Sequence, residues 1–128
     1  MKATWRQIIV GTGVLAYCAV AAATDLAIHL KGSQPISRKT VQYQCDAQGA
    51  KMGLPAGVFS VDYLTGAGNG LVVVPVGDHS LIFANVIAGS GARYAAGEYI
   101  WWEAGGGVTF SSANAGGPQS TCSRAGTK

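Results

Sequence analysis

From Thr40 onward the chain is a succession of short runs in which large apolar residues recur at every second position, separated by glycine. Thr40-Val41-Gln42-Tyr43-Gln44-Cys45 places Val41, Tyr43 and Cys45 on one face of a half-buried strand. Asp46 to Gly57 is turn-like, punctuated by Gly49, Gly53 and Pro55. Val58 to Leu64 is a second strand, with Phe59, Val61 and Tyr63 on a common face. Thr65 to Gly70 is a loop whose Asn69-Gly70 end suits a positive-φ hairpin turn. Leu71 to Val76 is apolar and rich in β-branched residues, and Pro75 marks an edge or a strand end. Gly77 to Ser80 is a tight turn that leads into a fourth strand, Leu81 to Ile87. Ala88-Gly89-Ser90-Gly91 breaks the pattern. Strands are then expected at Ala92 to Ala95, Glu98 to Glu103 and Val108 to Ser112, with Gly105-Gly106-Gly107 as a turn. Asn114 to Gln119 is a loop and Ser120 to Ser123 a closing strand. Nothing in this part shows convincing helical periodicity. Seven or eight short strands with glycine turns predict an all-β domain, a small antiparallel barrel or sandwich.

The first residues follow a different pattern. Met1 to Arg6 carries Lys2 and Arg6, and Ile8 to Ala23 is apolar and uncharged. Ala19-Val20-Ala21 and Ala21-Ala22-Ala23 both fit small-x-small cleavage. Residues 1–23 are therefore read as a secretory signal peptide. A retained anchor is the alternative, but the 16-residue apolar run is short of the roughly 20 residues that span a bilayer. Leu15-Ala16-Tyr17-Cys18 also resembles a lipobox, with the large Tyr17 where a small residue belongs; Cys18 is read as an ordinary residue of the signal. Contact with a membrane is expected only if Cys18 is lipidated or the signal is retained. Residues 24–39 read as a weakly ordered leader containing a short strand at Leu26 to Leu30, and residues 40–123 as the domain.

Charge and cysteine content narrow the picture. The whole chain carries a formal +3, but beyond residue 23 seven basic residues face six acidic ones, leaving +1. No basic patch points to nucleic acid. With Cys18 removed, Cys45 and Cys122 remain, and two cysteines in an exported chain most often pair. A bond between the first and last strands favours a closed barrel. Two free thiols or a metal site are the alternatives, and two distant cysteines with only His29 and His79 make a poor zinc set.

Candidate chemistry is sparse. Ser90 lacks the G-x-S-x-G frame, and Ser90, His79 and Asp78 form a triad only by arbitrary choice. There is no metal cluster, no phosphate loop and no cofactor motif. The chain is not expected to be an enzyme or to carry a cofactor. The distinctive stretch is Ser90 to Phe110, which reads as a compact polar turn, Ser90-Gly91-Ala92-Arg93-Tyr94, on an aromatic hairpin containing Trp101 and Trp102. One of these tryptophans is core and the other is free to lie on the surface, because successive side chains of a strand point to opposite faces.

The order Tyr43-x-Cys45, Ser90-Gly91-Ala92-Arg93-Tyr94, Trp101-Trp102, Gly105 and a late Cys122 resembles the MliC/PliC family of bacterial c-type lysozyme inhibitors, which are periplasmic or lipid-anchored. The resemblance implies an eight-stranded antiparallel barrel with a Cys45–Cys122 disulfide, and c-type lysozyme as protein partner. It implies that the loop of Ser90, Gly91, Ala92, Arg93 and Tyr94 enters the lysozyme cleft, with Ser90 against a catalytic carboxyl group. A family lysine on the following strand, in a W-x-K-G pattern, reaches the other carboxylate; here Trp102-Glu103-Ala104-Gly105 places Ala104 at that position. Losing one partner of a buried charge contact typically costs about 2–5 kcal/mol, which is roughly 30-fold to a few thousand-fold in affinity. A weakened inhibitor is the expectation, with Glu103 adding a charge that repels carboxylates. An inhibitor-like envelope module with another target, and a lipocalin-type ligand barrel, are the competing readings.

Overall fold

The computed structural model describes residues 23–126 together with Gly11 and Gly13. Apart from Gly11, Gly13 and Ala23, the segment expected as signal peptide, with Cys18, lies outside the described residues. The chain divides into two compact units, Met1–Leu30 and Lys31–Lys128. Of the first unit, residues 23–30 form no helix or strand, so the short strand expected at Leu26 to Leu30 is absent. No helix among the described residues is long and apolar enough to cross a membrane.

The second unit is an eight-stranded closed barrel: β1 (Ser37–Cys45), β2 (Phe59–Gly66), β3 (Asn69–Val76), β4 (His79–Val86), β5 (Ala92–Ala96), β6 (Tyr99–Ala104), β7 (Gly107–Ser112) and β8 (Gln119–Arg124). Each strand pairs antiparallel with its neighbours in sequence, and β1 closes on β8. The period-2 pattern decides which side chains enter. Tyr43, Phe59, Val61, Val72, Val74, Phe83, Tyr94, Trp101, Val108, Phe110 and Cys122 form one buried cluster. An eight-stranded barrel has an interior just wide enough for side chains to fill. Trp101, Tyr43, Phe83 and Phe110 are fully buried there, in edge-to-face and tilted contacts. A filled interior excludes the open apolar cavity that a lipocalin-type ligand barrel needs.

Several local expectations are corrected. β1 begins at Ser37, inside the segment read as leader, because Ser37, Arg38 and Lys39 continue the ladder against Thr65, Leu64 and Tyr63. Arg38 is ion-paired with Asp62, and Thr40 donates a hydrogen bond to the same carboxylate. Ala47–Lys51, expected as turn, forms the short helix α1. Its signal is local capping, not periodicity: Asp46 accepts the Gly49 N–H at the helix start. Met52 and Leu54, just beyond α1, are buried in the barrel cluster. The β2–β3 turn is Ala67-Gly68, with φ of 51° and 76°, rather than Asn69-Gly70. Gly66 pairs with Asn69 across it, and the Asn69 amide donates back to the carbonyl of Ala67 at 2.9 Å.

Candidate functional site

The connection from β4 to β5 and the β6–β7 hairpin meet at one end of the barrel. Gly91, Ala92, Glu103, Ala104, Gly105, Gly106, Gly107 and Arg124 line a shallow depression of about 350 Å³ there. Met52 and Gly53, just beyond α1, instead line a separate groove with Leu81, Ile82 and the β3–β4 and β5–β6 turns.

Two contacts set the shape of the Ser90-Gly91 connection. The Trp102 indole N–H donates to the Ser90 carbonyl at 3.0 Å. Gly91 adopts φ +64°, and a Cβ built on it would stand 1.8 Å from the Glu103 carbonyl oxygen and 3.2 Å from the Ala104 Cα. Only glycine fits a left-handed position packed this tightly on the neighbouring backbone. The Ser90 side chain is exposed at the tip. The β6 alternation thus resolves the Trp-Trp pair: Trp101 fills the core, and Trp102, 38% exposed, braces the loop from outside.

The residues singled out as one loop are divided by the fold. Ser90 and Gly91 belong to the connection, whereas Ala92, Arg93 and Tyr94 are in β5. Arg93 is paired in register with Val86 and Trp102, and its Nε is shielded from solvent without a hydrogen-bond partner. Tyr94 is buried and stands edge-on to Tyr63. It braces the loop from inside the barrel. Ala104, at the exposed end of β6, lies directly against Gly91. Ser90, Gly91, Ala92 and Ala104 are therefore brought together, with Arg93 and Tyr94 behind them on opposite faces of β5.

Sequence reading missed the polar cluster beneath this rim. Glu103 Oε1 accepts hydrogen bonds from the hydroxyls of Tyr63 at 2.9 Å and Tyr43 at 3.1 Å. The Trp101 indole N–H donates to the Tyr63 oxygen at 3.0 Å, and Arg124 is hydrogen-bonded to Tyr43. Two N–H donors thus feed two hydroxyls that converge on one carboxylate, an arrangement in which each bond polarises the next. Burial raises the Tyr43 hydroxyl above its ordinary range, with the Glu103 charge adding to the effect. Burial raises Tyr63 much further, supported by its contact with Tyr43. These residues come from β1, β2, β6 and β8, and only inward parity on each strand hinted that they would meet. His79 and Asp78 bond to each other at 2.8 Å; His79 lines the groove with Met52 and Gly53 rather than the depression beside Gly91.

The family model of MliC, described as membrane-bound lysozyme-inhibitor of c-type lysozyme, matches residues 43–119. The chain belongs to the MliC family. A Pseudomonas aeruginosa protein named membrane-bound lysozyme inhibitor of C-type lysozyme is 47% identical over 77 residues, 59% of this chain. The chain spans about half the length of that relative, 54% of it. The crystal structure of Pseudomonas aeruginosa MliC in complex with hen egg white lysozyme is similar over 80% of this chain and 98% of the other, with 35% identity and a TM-score of 0.61. The matched family is described as one of lysozyme inhibitors.

Proposed function

We propose that the protein is an exported inhibitor of c-type lysozyme that acts in the periplasm and presents the Ser90-Gly91 connection, with Ala104 beside it, to the lysozyme cleft. The observation that carries this reading is the rim geometry in a chain of the MliC family: an exposed Ser90 on a backbone clamped by Trp102 and by the Gly91–Glu103 packing. A hydroxyl held in place before binding loses little freedom on association, and preorganisation of this kind favours affinity. Lysozyme needs two carboxyl groups for glycoside cleavage. A serine hydroxyl that hydrogen-bonds one of them occupies the cleft and offers no glycosidic bond to cut. In this reading Ser90 makes the contact, Gly91 allows the close approach, and Ala92 and Ala104 form the flanking rim. Arg93 and Tyr94 hold the loop from the two faces of β5. In this reading residues 1–23 are the signal sequence that delivers the protein to the envelope, and the membrane-bound name of its Pseudomonas aeruginosa relative supports an envelope location.

Titration of hen egg white lysozyme with the purified protein tests the reading. Inhibition is expected, with Ser90→Ala weakening it at least tenfold while the melting temperature stays within a few degrees. Ala104→Lys adds a cation to the rim and is expected to strengthen inhibition by tenfold or more. A protein that leaves lysozyme fully active at high micromolar concentration overturns the reading. Reproducible capture of a different envelope protein would then assign the module to that target.

A further inference from the structure

The inward parity of β8 runs through Ser120 and Cys122, both buried, to Arg124 at the strand's exposed end. Arg124 therefore reaches the rim from the far end of the chain and lines the same depression as Gly91, Ala92, Glu103 and Ala104. Its pairing residue on β1 is Tyr43, and the hydrogen bond to the Tyr43 hydroxyl, with the Glu103 charge nearby, favours its cationic form. A guanidinium presents five N–H donors in a planar fork suited to carboxylates. Five donors exceed what one tyrosine oxygen accepts, so the contact with Tyr43 is compatible with an acidic group of a partner joining the fork. Glu103 directs one oxygen at two tyrosine hydroxyls, so its charge is shared with the barrel interior.

We propose that Arg124 is a carboxylate-binding residue of this rim: with the lysozyme cleft seated on the Ser90 connection, the Arg124 fork takes one of the cleft's carboxylates and Glu103–Tyr43 holds the fork in position. The proposal rests on the inhibitor reading above. It assigns the charged half of the contact to a residue that neither the loop nor the aromatic hairpin contains.

The test is calorimetric titration of hen egg white lysozyme with the purified parent protein, Arg124→Gln, Arg124→Lys and Ser90→Ala, at low and high salt, with thermal melts of each variant. Arg124→Gln keeps a donor for Tyr43 and removes the charge. It is expected to bind at least tenfold more weakly than the parent and to show a flatter salt dependence, since the screened interaction is the one removed. Arg124→Lys is expected to recover most of the affinity and the parental salt slope. Parental affinity in Arg124→Gln, alongside a weakened Ser90→Ala, overturns the role of Arg124 and leaves the inhibitor reading intact. Affinity that falls only in step with melting temperature, without rescue by lysine, also overturns it, because that pattern belongs to a structural contact. Failure of the parent protein to bind lysozyme overturns both.

Discussion

At the scale of single residues, the shape of the rim depends on a glycine. Gly91 combines a left-handed φ with a backbone neighbour too close for any Cβ. Gly105, in the adjacent hairpin, has nearly the same φ of +63° but open space around it. The pair separates two effects. A non-glycine residue in the left-handed region costs roughly 1–2 kcal/mol, so Gly105→Ala should lower stability by about that much and leave lysozyme inhibition within a few-fold of the parent. Gly91→Ala meets the same conformational cost and must also displace the Glu103 carbonyl. Its expected result is a loss of inhibition of at least tenfold, read by lysozyme titration, with a larger drop in urea midpoint than Gly105→Ala. Equal behaviour of the two variants would show that the clash does not control the loop. That Ser90-Gly91 breaks the strand pattern was legible from the S-G-A-R-Y string. That Tyr94 points inward was not, because the phase of β5 depends on how it registers with Trp101.

At the scale of elements, closure is the vulnerable step. β1 and β2 share seven register pairs, whereas β1 and β8 share three: Tyr43 with Arg124, Gln44 with Ser123, and Cys45 with Cys122. The disulfide Cys45–Cys122 lies within that short seam. Asp46 extends it, accepting hydrogen bonds from the Ser120 hydroxyl at 2.7 Å and the Thr121 N–H at 3.0 Å. The bond spans 77 residues, and chain-entropy reasoning gives about 4–5 kcal/mol for a loop of that size. A domain of this size is ordinarily stable by only about 5–15 kcal/mol. Replacing both cysteines by serine should therefore lower urea-unfolding stability by several kcal/mol, and reductant should do the same to the parent protein. An unchanged midpoint would mean that the hydrogen-bonded seam suffices without the covalent link. Pairing of the two cysteines was legible from their number in a chain read as exported; the shortness of the seam they hold was not.

At the scale of the whole molecule, the titrating groups set a stability window. Hydrogen bonds from Thr121 and Ser120 hold the Asp46 carboxyl below its ordinary range, and the Arg38 contact does the same for Asp62. The unfolded chain therefore binds more protons than the fold around pH 4. The stability these carboxylates contribute is present above that range and is lost as pH falls through their depressed values. Tyr43 and Tyr63 are displaced in the opposite direction, mainly by burial. Their neutral forms suit the folded state, so that contribution is complete below about pH 10, the ordinary tyrosine value, and is lost as pH rises beyond it. Thermal melts from pH 2 to pH 12 should show a plateau with falls on both sides. An alkaline fall that persists unchanged in a Tyr63→Phe variant would remove Tyr63 as its cause.

The amino-acid sequence by itself determined the strands, their glycine-bounded turns, the pair of cysteines and the string that ties the chain to its family. Each of these is local: a two-residue period places side chains on one face, and glycine permits a turn wherever it stands. What only the tertiary structure decided is which distant positions share the barrel's end. Tyr43, Tyr63, Glu103 and Arg124 meet because closure of β1 on β8 and the stagger of eight strands carry their inward rows to one rim. The same closure makes Trp101 core and Trp102 a brace, and sets Ala104 against Gly91. Alternation is a property of each strand alone. Register and closure depend on all eight strands packing at once, so no single stretch of sequence displays them.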